Sequence, residues 1–212
     1  MSKPGIALLT CLLLLTAAGC SDDTKPQVDQ GAPDMAAPDK GAPDKGVVMT
    51  KDQLKAQAIT FATTLASKLP ATSAGKKVET YVPIDNEVKG WTEHKTIGKP
   101  GVEAGYTTKE IEDIIDGSHD PYAKEGAKGF AKQDYILSRY PLVLFIWEMD
   151  TATGAQNMYK YNKDKLEKES GVTFETITGV KDQAIIGDDL PQWQVFIQRG
   201  PFIVKLSLMY MV

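Results

Sequence analysis

The sequence predicts an α+β domain, one largely antiparallel, twisted sheet with helices packed on it, behind a long N-terminal segment that takes no part in the core. Three observations predict it. Strand-rich blocks are interrupted by helical patterns without the regular strand–helix alternation of a parallel sheet. The run LVLFIWEM, Leu142–Met149, is the most apolar stretch outside the first twenty residues. Phe202, Val204, Leu206, Leu208 and Tyr210 alternate with other residues as one face of a strand does.

In chain order, the first feature is an apolar run from Ile6 to Ala18, broken only by Thr10 and Thr16 and preceded by Lys3. It is shorter than the roughly 20 apolar residues a membrane-spanning helix needs. A positive start, a short apolar run and small residues at its end form the pattern of a cleaved export signal. Here the small residues Ala17, Ala18 and Gly19 end on Cys20. That ending resembles the bacterial lipobox, in which the cysteine thiol receives a diacylglyceryl group before cleavage. The resemblance implies a signal peptide over residues 1–19, lipidation at Cys20 with palmitate-type acyl chains, and a mature protein anchored to a membrane. The residue after the cysteine is Ser21 rather than Asp, which by analogy with lipoprotein sorting implies the outer membrane, facing the periplasm. Cys11 and Cys20 are the two cysteines of the chain. Cys11 lies in the segment the resemblance implies is removed, and if Cys20 is acylated the mature chain has no free thiol, which excludes disulfides, cysteine metal sites and cysteine nucleophiles.

Residues 20–46 form the second segment. Ser21 to Gly46 shows no apolar periodicity, and a five-residue unit recurs as GAPDM, AAPDK and GAPDK. Proline fixes φ and glycine loosens the chain, so the segment reads as a disordered tether. As a flexible coil it spans about 28 Å, and as extended polyproline II roughly 80 Å. Setting aside Lys3 and the three tether lysines from 24 basic residues, and six tether aspartates from 28 acidic ones, leaves 20 and 22 in the rest. That balance gives no basic footprint for nucleic acid.

Residues 47–212 are the predicted globular domain. Leu54, Ala58, Phe61, Leu65 and Leu69 fall three or four apart, predicting a helix over Thr50–Leu69 with Thr50 as N-cap and Pro70 as its stop. Lys77–Val82 reads as a short strand, and Gly90-Trp91 opens another to about Ile97, before a turn at Gly98–Gly101. In TTKEIEDIIDG, Thr107 and Glu110 fit a capping box, Ile111, Ile114 and Ile115 form a buried face, and Gly117 is the stop. Asp120-Pro121 begins a further helical turn, with Asp as cap and Pro in first position, ending near Gly126.

Phe130–Ser138 has strand character. Leu142–Met149 then reads as a central strand covered on both sides at least over its first half, with Pro141 at its mouth. Asp150 or Thr151 caps a helix to about Ser170, with Gly171 beyond and Ala152, Ala155, Met158, Tyr159 and Leu166 as a thin apolar stripe. Val172–Ile177 and Gln183–Ile186 are strands, and Trp193–Gln198 with Phe202–Tyr210 form a hairpin about Gly200-Pro201 with one buried face. The chain ends at Met211-Val212 inside that last strand, which implies either truncation or an edge covered by the first helix.

Gly90-Trp91, IIDG at Ile114–Gly117, Tyr122, Gly126, Tyr135, WEMD at Trp147–Asp150 and Ala155 together resemble an uncharacterised family of the bacterial envelope, called domain of unknown function 6599. The shared pattern runs from about Val88 to the C-terminus, and departs from the family in ending at Val212. The resemblance implies no activity and no catalytic residue.

The candidate site residues are Asp113, Asp116, His119 and Asp120, the polar cluster of DIIDGSHD, together with Glu148. Carboxylates and an imidazole near a loop suit a hard or borderline cation. The spacing fails the EF-hand pattern, and helix termination and capping explain the same residues without a metal. Glu148 follows Ile146 on one side of the central strand; it is either a strand-end charge that reaches water or a buried carboxylate, which needs a partner that Arg199 or Lys205 could supply. His94 lies in the charged stretch WTEHKT and reads as solvated. No HExxH, GxSxG or glycine-rich phosphate loop is present. The sequence therefore favours a non-enzymatic binding or scaffolding domain with no cofactor, held at a membrane and open to an envelope protein partner. The alternative is a small hydrolase or metal-dependent enzyme at Asp116 and His119.

Overall fold

In a computed structural model, which describes residues 47–95, 101–115, 117–180 and 182–210, every strand belongs to one sheet. The signal, Cys20, the tether, most of the Gly98–Gly101 turn, Asp116 and the last two residues lie outside the described residues. Helix α1 spans Lys51–Lys68. Strands β1 (Thr92–Glu93) and β2 (Val102–Gly105) precede helices α2 (Thr108–Ile115) and α3 (Asp120–Lys124). Then follow β3 (Ala127–Leu137), β4 (Tyr140–Met149), α4 (Ala152–Glu169), β5 (Phe174–Thr176), β6 (Gln183–Asp189), β7 (Gln192–Arg199) and β8 (Phe202–Met209). The strand order is β1-β3-β4-β8-β7-β6-β5, with β2 also on β3, and all the pairings are antiparallel. This is the α+β fold expected.

The periodicities choose the two faces. Leu142, Leu144 and Ile146 of β4, Val204, Leu206 and Leu208 of β8, and Trp193, Val195 and Ile197 of β7 are buried on one face. Helix α1 covers that face with Leu54, Ala58, Phe61, Ala62 and Leu65. Its start is the capping box formed by Thr50 and Gln53, with Thr50 N donating to Gln53 Oε1 at 2.8 Å. On the opposite face Phe130, Trp147, Met149, Phe196 and Ile203 pack beneath α2 and α4 through Ile111, Ala155, Met158 and Tyr159.

Several elements differ from the sequence reading. Val78–Tyr81 is a 3-10 turn and not a strand. Val78, Tyr81 and Val82 are all buried, and their spacing of three and four is helical. The strand opened by Trp91 is only Thr92–Glu93 among the described residues. In β4 the half covered on both faces is the second, where Trp147 and Met149 are buried; Val143 and Phe145 remain half-buried. The β7–β8 hairpin buries both faces too, as Phe196 and Ile203 show. Thr151, not Asp150, caps α4, accepting from Gly154 N at 3.0 Å, and Ala152 is exposed. Finally, β8 is no edge strand. It lies between β4 and β7, so its backbone is paired on both sides and needs no cover from α1.

Two glycines fix how loops meet the sheet. A Cβ on Gly200 (φ +51°) would stand 2.0 Å from Ala71 O, and one on Gly154 would stand 2.2 Å from Glu125 O. The first presses the β7–β8 turn on the chain beyond α1. The second seats the first turn of α4 against the end of α3.

Candidate functional site

The DIIDGSHD segment joins α2 to α3. The capping box at its start is formed, with Glu110 N donating to Thr107 Oγ1 at 3.3 Å and Thr107 N to Glu110 Oε2 at 3.0 Å. Asp113 points to solvent and pairs with Lys109 one turn back at 2.8 Å. Asp116 lies outside the described residues. Asp120 is exposed and is not a cap: His119 holds the N-cap position, and Pro121 is second in the helix. The turn begins one residue early because Ser118 Oγ accepts from Asp120 N at 3.2 Å, while His119 O accepts from Tyr122 and Ala123.

His119 itself is buried, 1% exposed. Its ring is parallel to that of Tyr122 at 5.9 Å, and Tyr122 stacks on Trp147 at 4.3 Å. Burial holds the His119 pKa below the ordinary histidine value, against the opposing charges of Glu112 and Asp120. Its Nδ1 and Trp147 Nε1 have no hydrogen-bond partner among the described residues. Tyr122 OH donates to Asn162 Oδ1 of α4 at 3.1 Å, and burial pushes the phenol up to about 12. This aromatic stack is a packing joint between α3, β4 and α4. The sequence carries no signal for the stack, since Tyr122 and Trp147 are far apart in it and share no spacing.

Glu148 follows Trp147 in β4, so its side chain leaves from the other face of the sheet. The structure therefore separates Glu148 from His119 and the two do not form one site. Glu148 is buried and does not reach water at the strand end, yet neither Arg199 nor Lys205 is its partner. Ser73 Oγ donates to Glu148 Oε1, and Lys128 Nζ lies 3.4 Å from the same oxygen. Arg199 instead donates to Leu69 O just beyond α1. Lys205 stands on the opposite face, between Phe145 and Phe196 in register, and burial lowers its pKa. Lys128 escaped the alternation argument because a bulge between Ala127 and Gly129 shifts the phase of β3. Tyr81 OH, buried near Glu148, has no hydrogen-bond partner among the described residues; burial first and the Glu148 charge second raise its pKa. Among the described residues no three His, Cys, Asp or Glu side chains gather where they could hold a metal ion. His94 is exposed.

The surface offers a groove instead. A cavity of about 440 Å³ beside α4 is lined by Gln156, Asn157, Tyr159, Lys160, Lys163, Asp164 and Gln183. It shares Gln156 and Gln183 with a neighbouring hollow that reaches Thr153, Gln198 and Gly200. Among the described residues no hydrogen bond engages the Gln156 or Gln183 side chains, whereas Asn157 Nδ2 donates to Glu125 Oε2 and Gln198 Nε2 to Gly200 O. Amides that keep donor and acceptor capacity suit a polar ligand. Sequence reasoning missed these residues because an exposed glutamine, whether on α4 like Gln156 or at the start of β6 like Gln183, has no distinguishing pattern.

No protein-family model matches the chain, and no curated protein matches it. The resemblance to the envelope family thus rests on the residues that carry it. Among solved structures, the extracellular domain of PknH from Mycobacterium tuberculosis matches with a TM-score of 0.36 at 10% identity, over 79% of this chain and 90% of that one. A likeness at that level carries no argument about this chain.

Proposed function

We propose that this protein is a lipoprotein of the bacterial envelope whose folded domain is displayed to the periplasm as a non-enzymatic binding or scaffolding module. The observation that carries the reading is Leu12–Cys20, LLLLTAAGC, followed by the Pro/Asp/Gly/Lys-rich stretch to Gly46 and then by the Thr50 cap where α1 begins. One acyl chain anchors weakly, at about 0.8 kcal/mol per buried methylene, whereas two or three anchor stably. Ser21 directs the mature protein to the outer membrane in this reading, and the envelope family is its proposed kin. The groove beside α4 is the proposed binding face, with Gln156 and Gln183 supplying hydrogen bonds to a polar ligand or to a polar segment of an envelope partner.

The separation of His119 and Glu148 onto opposite faces supports binding over hydrolysis. Labelling with a fatty-acid analogue tests the anchor. The wild-type protein takes up label and fractionates with membranes, and Cys20→Ala loses both. Normal labelling of Cys20→Ala defeats the lipoprotein reading. For the domain, millimolar zinc, calcium or magnesium leaves the melting temperature unchanged. A rise of several degrees, abolished by His119→Gln, would instead favour a metal-dependent enzyme.

A further inference from the structure

Seven large hydrophobic side chains are exposed among the described residues, and four of them, Val47, Val48, Leu190 and Met209, sit at one pole of the domain. Hydrogen bonds and register place them together. Met49 N donates to Tyr140 OH at 3.0 Å, which pins the entry to α1 against the first residue of β4. Leu190 is at the tip of the turn joining β6 to β7, where Asp189 pairs with Gln192. Gln192 in turn faces Met209, and Tyr210 N donates to Pro191 O at 3.1 Å. Leu190 is 72% exposed and Val48 75%. Of the remaining three, Tyr106 precedes α2 towards the opposite end of β3, Tyr161 is on α4, and Ile84 is in the loop that meets β1, at the far edge of the sheet from β6.

We propose that this pole lies on the lipid bilayer, with Val47, Val48, Leu190 and Met209 as its contacting side chains. The inference rests on the lipid-anchored reading and deepens it. What selects a bilayer over a protein partner is the position of the pole. The chain leaves the domain for Cys20 at Val47, so the shortest path to the anchor starts in the patch itself. A coil of the tether's length keeps the domain within about 28 Å of its anchor on average. Confinement of that kind lets a weak contact by a few side chains dominate, since the encounter is intramolecular. The charges that such a contact would bring towards lipid are partly matched: Lys51 pairs with Asp188, and the Lys51 ammonium lies over the Trp193 and Tyr210 rings at 5.2 and 4.9 Å. Side chains of this type settle in the headgroup region without spanning the membrane.

The test uses the acylated full-length protein in vesicles of phosphatidylethanolamine and phosphatidylglycerol. Because Cys11 is removed and Cys20 is acylated, Leu190→Cys or Tyr161→Cys introduces the sole reactive thiol, which is labelled with an environment-sensitive dye. Nitroxide lipids should quench the dye at position 190 at least about three-fold more than at position 161. The pair Leu190→Asp with Met209→Asp, both at exposed positions, should reduce the quenching of a dye at Val48→Cys towards the position-161 level. Equal quenching at 190 and 161 in protein that floats with vesicles overturns the docking and leaves the anchor standing. Protein that fails to float with vesicles overturns both.

Discussion

The Tyr122 ring lies 4.3 Å from the Trp147 ring, 11° from parallel, and its hydroxyl reaches Asn162 of α4. One side chain on a five-residue helix thereby joins the central strand to the long helix. Tyr122→Phe keeps the stack and removes a hydrogen bond, so it should cost about 1 kcal/mol. Tyr122→Leu also removes the ring pairing, worth about 0.5–1.5 kcal/mol beyond burial. It should therefore cost more than Tyr122→Phe. Denaturant midpoints of the two variants check the order; a loss equal in both would mean that the stack contributes nothing.

His119 makes folding depend on pH. Burial depresses its pKa in the folded state, so the folded protein binds a proton less readily than the unfolded chain. The stability from this group is complete above the ordinary histidine value of 6.5 and is lost as pH falls below it towards the depressed folded value. Glu112 and Asp120 limit the effect, because both favour the imidazolium. Chemical denaturation at pH 8, 6.5 and 5 should show a fall that shrinks in His119→Phe. An unchanged slope in that variant would place the proton uptake elsewhere.

Much of the fold was legible because its elements carry their own periodicity. Helix α1 has both a cap and a stripe, and β4 and β8 are apolar enough to identify unaided. Lys77–Val82 reads as a strand because its four β-favouring residues, Val78, Thr80, Tyr81 and Val82, do not separate alternation from a helical spacing of three and four. The candidate site was less legible. Which face a residue takes follows from alternation, and that placed Glu148 correctly on the Ile146 side. Its partners come from a loop at Ser73 and from beyond a bulge at Lys128, neither of which has a sequence signal. His119 drew attention as a polar residue among acids, but its environment is aromatic.

Gly200 should not accept a side chain. Its φ of +51° disfavours any Cβ, and Ala71 O stands where that atom would go. Gly200→Ala should destabilise the domain by about 1–3 kcal/mol. Gly171 is the control: it also has positive φ (+67°), yet nothing lies within 4 Å of its Cβ position. Gly171→Ala should therefore cost less, and thermal melts of the two variants check the difference. Equal losses would assign the whole effect to backbone conformation.

The measurement that bears most directly on the whole account is the mass of the N-terminal peptide of the mature protein isolated from membranes. The account predicts that the mature chain begins at Cys20 and that this residue carries a diacylglyceryl group, with further acylation at its amino group. A mature chain beginning at any other residue, or one in which Cys20 has a free thiol, would contradict it.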